Sequence, residues 1–194
     1  MSQADIDAFV WSAANDMLTL EGVTTAVTRG IPVNGGNVHG FTALHSAVLY
    51  DRRELVVALV VALLATGADP NVKDINGRTS VWVGAYNSTA DILQMLIDGG
   101  GSVNEPDNYG ETPLIALVDN YGDVAARLQV LLACPELDLD AEFKGKTAQE
   151  WAVRKGRSQL ALAIAEERAR RERWSALRAA WIAATATRSV CRYK

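Results

Sequence analysis

The side chains that most often carry chemistry are scarce and scattered in this chain. Its two histidines are His39 and His45, and its two cysteines are Cys134 and Cys191. No cysteine or carboxylate group stands at a spacing that would hold a metal ion. The stretch Asp98-Gly99-Gly100-Gly101-Ser102 is as glycine-rich as a phosphate loop. It lacks the lysine and the strand–loop–helix setting that such a loop needs. Asp119 and Asp123 flank Asn120-Tyr121-Gly122 on an expected surface loop, where solvated charge accounts for them. No residue is singled out as catalytic, as a metal ligand or as a cofactor contact, and no enzyme activity is expected. The chemistry that remains is recognition, which depends on which side chains a scaffold presents.

The scaffold is bounded first by composition. The chain has 194 residues, 49% hydrophobic and 22% charged, as soluble folded proteins do. Its longest apolar run, Leu55 to Ala65, is well short of the roughly 20 residues that cross a membrane. The stretch Met1 to Trp11 is acidic and polar, without a signal-peptide pattern. Two cysteines without metal spacing point to a reducing compartment. The expected location is the cytoplasm, with the nucleus as the alternative. Charge is uneven along the chain. Residues 1–165 hold 11 Lys/Arg against 20 Asp/Glu, a balance of −9, and residues 166–194 hold 8 against 3, a balance of +5. So acidic a body does not favour nucleic acid.

Four stretches share one layout: GFTALHSA from Gly40, GRTSVWVGA from Gly77, GETPLIAL from Gly110 and GKTAQEWA from Gly145. Their glycines are 37, 33 and 35 residues apart. Downstream of the first three come LLATGADPN, LIDGGGSVN and LLACPELDLD. Each recurring letter has a physical reason. The glycine suits a hairpin tip that needs a permissive backbone. The threonine caps a helix by accepting a bond from an orphan amide. Pro113 falls at a first helical position, where its missing N–H costs nothing. Ala47, Gly84, Ala85 and Ala152 are small enough for first helices to stack closely. Gly67 and Gly100 end second helices. Asp69 and Asn71 favour turns by bonding their own backbone.

This layout resembles the ankyrin-repeat family, which recurs every 33 residues as a turn and two helices. The resemblance covers roughly residues 8 to 165 and implies an all-α solenoid of helix–turn–helix repeats with short β-hairpin loops. It divides residues 1–165 into a degenerate repeat at about 8–36 and repeats at about 37–73, 74–106, 107–141 and 142–165. Residues 166–194 form a basic helical tail. The glycine-rich stretch from Asp98 aligns with the family's inter-helix loop. Only His45 keeps the family's histidine, which helps the threonine tie the turns together. Trp82, Ile115 and Glu150 replace it, so those joints are expected to be looser or differently packed. In the family, variable positions on the tips and first helices contact partner proteins. Here they are Val38, His39, Phe41, Leu49 and Tyr50, then Ile75, Asn76, Arg78, Tyr86 and Asn87. The later repeats give Asn108, Tyr109, Glu111, Asp119 and Asn120, then Phe143, Lys144, Lys146, Arg154 and Lys155. Of these, Phe41, Tyr50, Arg78, Tyr86, Asn87, Tyr109, Glu111, Phe143, Lys144 and Lys146 are the candidate partner-binding residues. Five are aromatic, the class enriched at interface hot spots.

One segment departs from the spacing. Val56-Val57-Ala58-Leu59 is repeated at once as Val60-Val61-Ala62-Leu63. Thr42 to Gly67 spans 25 residues where Thr79 to Gly100 spans 21, so the surplus equals the duplicated unit. Four residues are slightly more than one helical turn, so the expected result is an extended second helix with its apolar stripe kept. The extra turn could be pushed toward Tyr50–Glu54 or toward Ala65–Asp69, and the lesser alternative is that the two identical copies compete for the buried register.

The tail has no Gly or Pro and is rich in Ala and Arg, which predicts a helix. Trp174, Leu177 and Trp181 stand at i, i+3 and i+7 on one face of it. Capping of the open solenoid end ranks first, docking on a partner second, and contact with an anionic membrane third. The expected function is that of a monomeric protein-binding module whose ligand has apolar anchors and an acidic end beside the last repeat. The alternative is the regulatory repeat segment of an enzyme or channel. The initial Met and the lack of a second domain favour the first.

Overall fold

Threonines start the first helix of each repeat. Thr79, Thr112 and Thr147 accept hydrogen bonds from the amides of Trp82, Ile115 and Glu150, and Thr42 accepts from His45 at 3.3 Å. These caps satisfy amides that the helix leaves open. They begin α3 (Ala43–Leu49), α5 (Ser80–Asn87), α7 (Pro113–Asp119) and α9 (Ala148–Arg154). In the computed structural model α1 (Gln3–Ala14) occupies the corresponding place in the degenerate N-terminal unit. The second helices are α2 (Leu20–Thr28), α4 (Arg53–Ala65), α6 (Ala90–Asp98), α8 (Ala125–Ala133) and α10 (Ser158–Val190). The structure describes residues 2–15, 18–49, 53–120, 122 and 124–190, with backbone only at 53–55 and 183–190. Tyr50, Asp123 and Cys191, all singled out above, lie outside the described residues or side chains.

The first helices stack in one layer and the second helices in another. Ala47, Ala85 and Ala152 are fully buried between stacked first helices, the role their size predicted. Leu44, Leu63, Leu93, Leu96, Leu117, Leu131 and Ile164 fill the space between the layers, all fully buried. Each such side chain contributes roughly 1.5–3 kcal/mol. The hairpin of the last repeat pairs β1 (Glu142–Phe143) with β2 (Lys146–Thr147). The other tips close with the amide of Asn37, Asp74 or Asp107 donating to the carbonyl of Phe41, Arg78 or Glu111. At Gly77, φ is +79°, and a Cβ there would lie 2.3 Å from the Asn108 carboxamide oxygen of the next tip. Only glycine meets both demands.

Asparagines lock the loops of neighbouring repeats. Asn34 donates to the Gly67 carbonyl and accepts from the Asp69 amide. Asn71 does the same with Gly100 and Ser102 at 2.9 and 2.8 Å, and Asn104 with Glu136 and Asp138. Asp69 does bond its own turn, through the Asn71 amide. Asn71 departs from expectation, since its side chain serves the next loop rather than its own backbone. A carboxamide that both donates and accepts can satisfy two orphan groups at once.

Helix α4 has 13 residues where α2, α6 and α8 each have nine, so the duplicated four residues lie within one longer helix. Both α4 and α6 are followed two residues on by a glycine with φ near +90°, Gly67 and Gly100. Counted back from these, Val60 and Leu63 stand where Leu93 and Leu96 stand in α6, and all four are buried. The second copy therefore holds the register of its neighbours. The extra turn lies toward Glu54, where Val56 is still buried.

The C-terminal tail contradicts the capping expectation. It is the uninterrupted continuation of α10, and residue 165 falls inside that helix. Side chains of α10 pack on α8 and α9 as far as Arg171, whose guanidinium donates to the carbonyls of Leu132, Cys134, Pro135 and Leu137 and pairs with Glu167. It thereby covers the end of α8, where Cys134-Pro135-Glu136 stands in place of a glycine cap. Beyond it, Trp174, Leu177 and Trp181 are 64%, 62% and 68% exposed. No Gly or Pro interrupts the helix between Ser158 and Val190, so among the described residues the tail runs on straight and does not turn back over the solenoid.

Candidate functional site

The face formed by the hairpin tips and the first helices is built from repeated turns. Asp74 accepts the amides of Asn76 and Arg78, and Asp107 accepts those of Tyr109 and Glu111. Asn37 holds His39 and Phe41 in the same way. These residues, three before each tip glycine, fix the direction in which the tip side chains leave the backbone. Sequence reading passed over them, although their recurrence before Gly40, Gly77 and Gly110 was visible. Tips are joined to one another as well: Ile75 donates to the His39 carbonyl at 3.1 Å, and Asn108 to the Asn76 carbonyl at 2.8 Å.

At the first joint, His45 Nε2 lies 3.0 Å from the Arg78 carbonyl, and Nδ1 lies 2.9 Å from the Thr42 hydroxyl. A carbonyl only accepts, so the proton sits on Nε2. Burial pushes the pKa of His45 down, which keeps the ring neutral. At the second joint, Trp82 takes the histidine's place. Its indole N–H donates to the Glu111 carbonyl at 2.9 Å, the counterpart of the Arg78 carbonyl. That joint is differently packed, as expected, and it is not open. At the third, Ile115 has no side-chain donor to give.

These joints carry a strip of rings. Phe41 stacks on His45 with centroids 5.9 Å apart, and Tyr86 stacks on Trp82 at 5.6 Å. The Arg78 guanidinium lies between the pairs, 5.9 Å from the Phe41 ring and 5.5 Å from Trp82, and is paired with Asp74 at 2.7 Å. Tyr86 keeps 40% of its surface exposed and Tyr109 keeps 74%. Phe41 and Phe143 are half-buried; Phe143 packs on Trp151 at 5.9 Å within its own repeat. Arg78 and Asn87 serve the fold first, since the Asn87 amide donates to the Leu49 carbonyl at 2.9 Å.

Toward the C-terminus the face becomes charged. Burial, with Asp107 and Asp119 close by, pushes the Glu111 carboxyl up to about 7, against the pull of Lys144 and Lys155. Lys155 pairs with Asp119, so acidic and basic side chains meet here. Lys144 is exposed, 4.6 Å over the Phe143 ring, and Lys146 is half-buried on β2. Toward the other end, a groove of about 510 Å3 is lined by Ala8, Val10, Trp11, Ala14, Val38 and Phe41, among others. It extends the face onto the degenerate unit. Trp11 was missed; its alignment with His45, in Val10-Trp11-Ser12-Ala13 against Leu44-His45-Ser46-Ala47, could have found it. Among the described residues, no group of three His, Cys, Asp or Glu could hold a metal ion.

The sequence pattern described as ankyrin repeat matches residues 39–75. The chain is 31% identical over 144 residues to the glycerophosphocholine phosphodiesterase gde1 of Schizosaccharomyces pombe, covering 72% of this chain and 12% of that protein. It is 30% identical over 118 residues to human transient receptor potential cation channel subfamily A member 1, covering 59% and 10%. An ankyrin repeat-containing protein of Schizosaccharomyces pombe is 38% identical over 56 residues, covering 29% and 27%. The chain thus spans about a tenth of the length of the first two relatives. Ankyrin repeats are generally protein-interaction modules. With stacked helix pairs, threonine-capped first helices and hairpin joints at the repeat's own spacing, the chain belongs to the ankyrin-repeat family.

Proposed function

We propose that this chain is a non-catalytic, monomeric interaction module that binds an extended or helical protein segment along its tip and first-helix face. The observation that carries this reading is the pair Tyr86 on Trp82, with Tyr109 exposed on the tip of the following repeat. A ring held by stacking yet open to solvent loses little freedom on binding, which favours anchoring. The groove at Trp11 and Val38 supports an apolar anchor at the N-terminal end. Lys144, Lys146 and Arg154 support an acidic end of the ligand beside the last repeat, while Lys155 is already paired with Asp119.

A photo-crosslinking amino acid placed at Tyr86 should capture a partner protein, and one placed at Asp91, exposed on α6, should not. Capture at Asp91 and none at Tyr86 would move the site to the opposite side of the solenoid. A second reading, a regulatory segment within a longer enzyme or channel, draws support from the similarity to the phosphodiesterase and the cation channel.

A further inference from the structure

The exposed part of α10 belongs neither to the solenoid core nor to the tip face. From Glu172 to Ile182 every side chain is exposed. Trp174, Leu177 and Trp181 recur at i, i+3 and i+7, and Ile182 adjoins them. From Arg173 to the C-terminus the chain holds five cations, Arg173, Arg178, Arg188, Arg192 and Lys194, and no carboxylate side chain. The helix is not long and apolar enough to cross a bilayer. We propose that this segment seats on an anionic lipid surface, lying in the plane of the headgroups.

Three features select lipid over a protein groove. The first is Arg178, four residues from both Trp174 and Ile182 and hence in one row with them along the helix. A protein groove that received both apolar side chains would have to bury the guanidinium between them against a matched partner. At a lipid interface the same side chain reaches up its own stem to the phosphate layer. The second is the pair of indoles, Trp174 and Trp181. Each combines a large apolar ring with one N–H donor, which suits the depth where acyl chain meets headgroup. The third is charge. The cationic tail is attracted to an anionic surface, whereas residues 1–165, with a balance of −9, are repelled by it. The protein would rest on the tail with the solenoid and its tip face held in water. Attraction of this kind adds about 1 kcal/mol per cation near the surface and fades with salt.

The test uses the full chain and vesicles of phosphatidylcholine with about 30% phosphatidylserine, against vesicles of phosphatidylcholine alone, at low salt. Expected are co-sedimentation with the anionic vesicles only, a blue shift of tryptophan emission, and a loss of binding of about tenfold or more between roughly 0.05 and 0.5 M salt. The variant Trp174→Ala/Trp181→Ala should lose at least tenfold in binding. Its melting midpoint should not change, because both rings are exposed. Arg178→Glu should weaken binding to anionic vesicles in the same direction. No binding to anionic vesicles at low salt would overturn the proposal. Equal binding to neutral vesicles, undiminished binding by the double tryptophan variant, or capture of the tail by an acidic helical peptide but not by vesicles would do so as well.

Discussion

The solenoid and the tail each display aromatic side chains, and they hold them in opposite ways. Tyr86 rests on Trp82, Phe41 on His45 and Phe143 on Trp151, each pair with centroids within 6 Å. Trp174 and Trp181 stand mostly exposed on a helix that has left the body. A ring fixed by its neighbour presents one shape, and suits a partner with a matching shape. A ring that extends from a single helix suits a surface that adapts to it. Residue type alone would have grouped all of them as hot-spot candidates; the neighbours separate them.

The sharpest break between the two regions is thermodynamic. Leu93→Ala, at a fully buried position between the layers, should cost about 2–5 kcal/mol in denaturant titration. Trp174→Ala should cost less than about 0.5 kcal/mol. Comparable costs would mean that the tail packs on the body. Truncation locates the boundary. Ending the chain after Glu172 should leave stability nearly unchanged. Ending it after Glu167 removes Arg171, uncovers the carbonyls at the end of α8 and strands the buried Glu167, at a cost of at least about 2 kcal/mol. Equal losses for both truncations would place the boundary elsewhere.

Smaller changes probe the joints. Trp82→Phe keeps a ring under Tyr86 but removes the bond to Glu111, and thermal melting should report a loss of about 1 kcal/mol. Deleting Val60 to Leu63 returns α4 to the length of α6. The register of the buried face survives, so the product should fold with a change of about 1 kcal/mol or less; an unfolded product would show that the extra turn packs on something essential. The smallest expected effect belongs to Glu111. Folding raises its pKa to about 7, so between its ordinary range and that value the folded state holds the extra proton. Stability should therefore fall as pH rises through this window. Glu111→Gln should raise the melting midpoint near pH 8 and leave it unchanged near pH 4. The gain should be at most about 1 kcal/mol, because solvent screens a half-exposed group. A midpoint that responded equally at both pH values would rule out this titration as the cause.

Much of the repeat was legible because local rules write it into the chain. The threonine caps, the tip glycines and the small residues of the first helices act within a few residues of themselves, and all appear where their spacing placed them. The extended α4 followed from counting. The Asn34–Asn71–Asn104 ladder did not, because asparagine bonds its own turn equally well, and only the next loop's position decides between the two. Trp82 as a joint was hidden for a similar reason: an indole takes over a histidine's bond only if the facing carbonyl lies at its reach. The tail was misplaced because its apolar stripe suggested burial, whereas its direction is inherited from the second helix of the last repeat.

The difference between a preorganised face and an exposed tail predicts where partner affinity resides. The direct measurement is the dissociation constant of the protein captured at Tyr86, determined for three forms of this chain: unaltered, Tyr86→Ala/Tyr109→Ala, and truncated after Glu172. The tyrosine variant should bind at least about tenfold more weakly, with its melting midpoint preserved, and the truncated form should bind as the unaltered chain does. Unchanged affinity in the tyrosine variant, with affinity lost on truncation, would contradict the account and give the tail the protein partner.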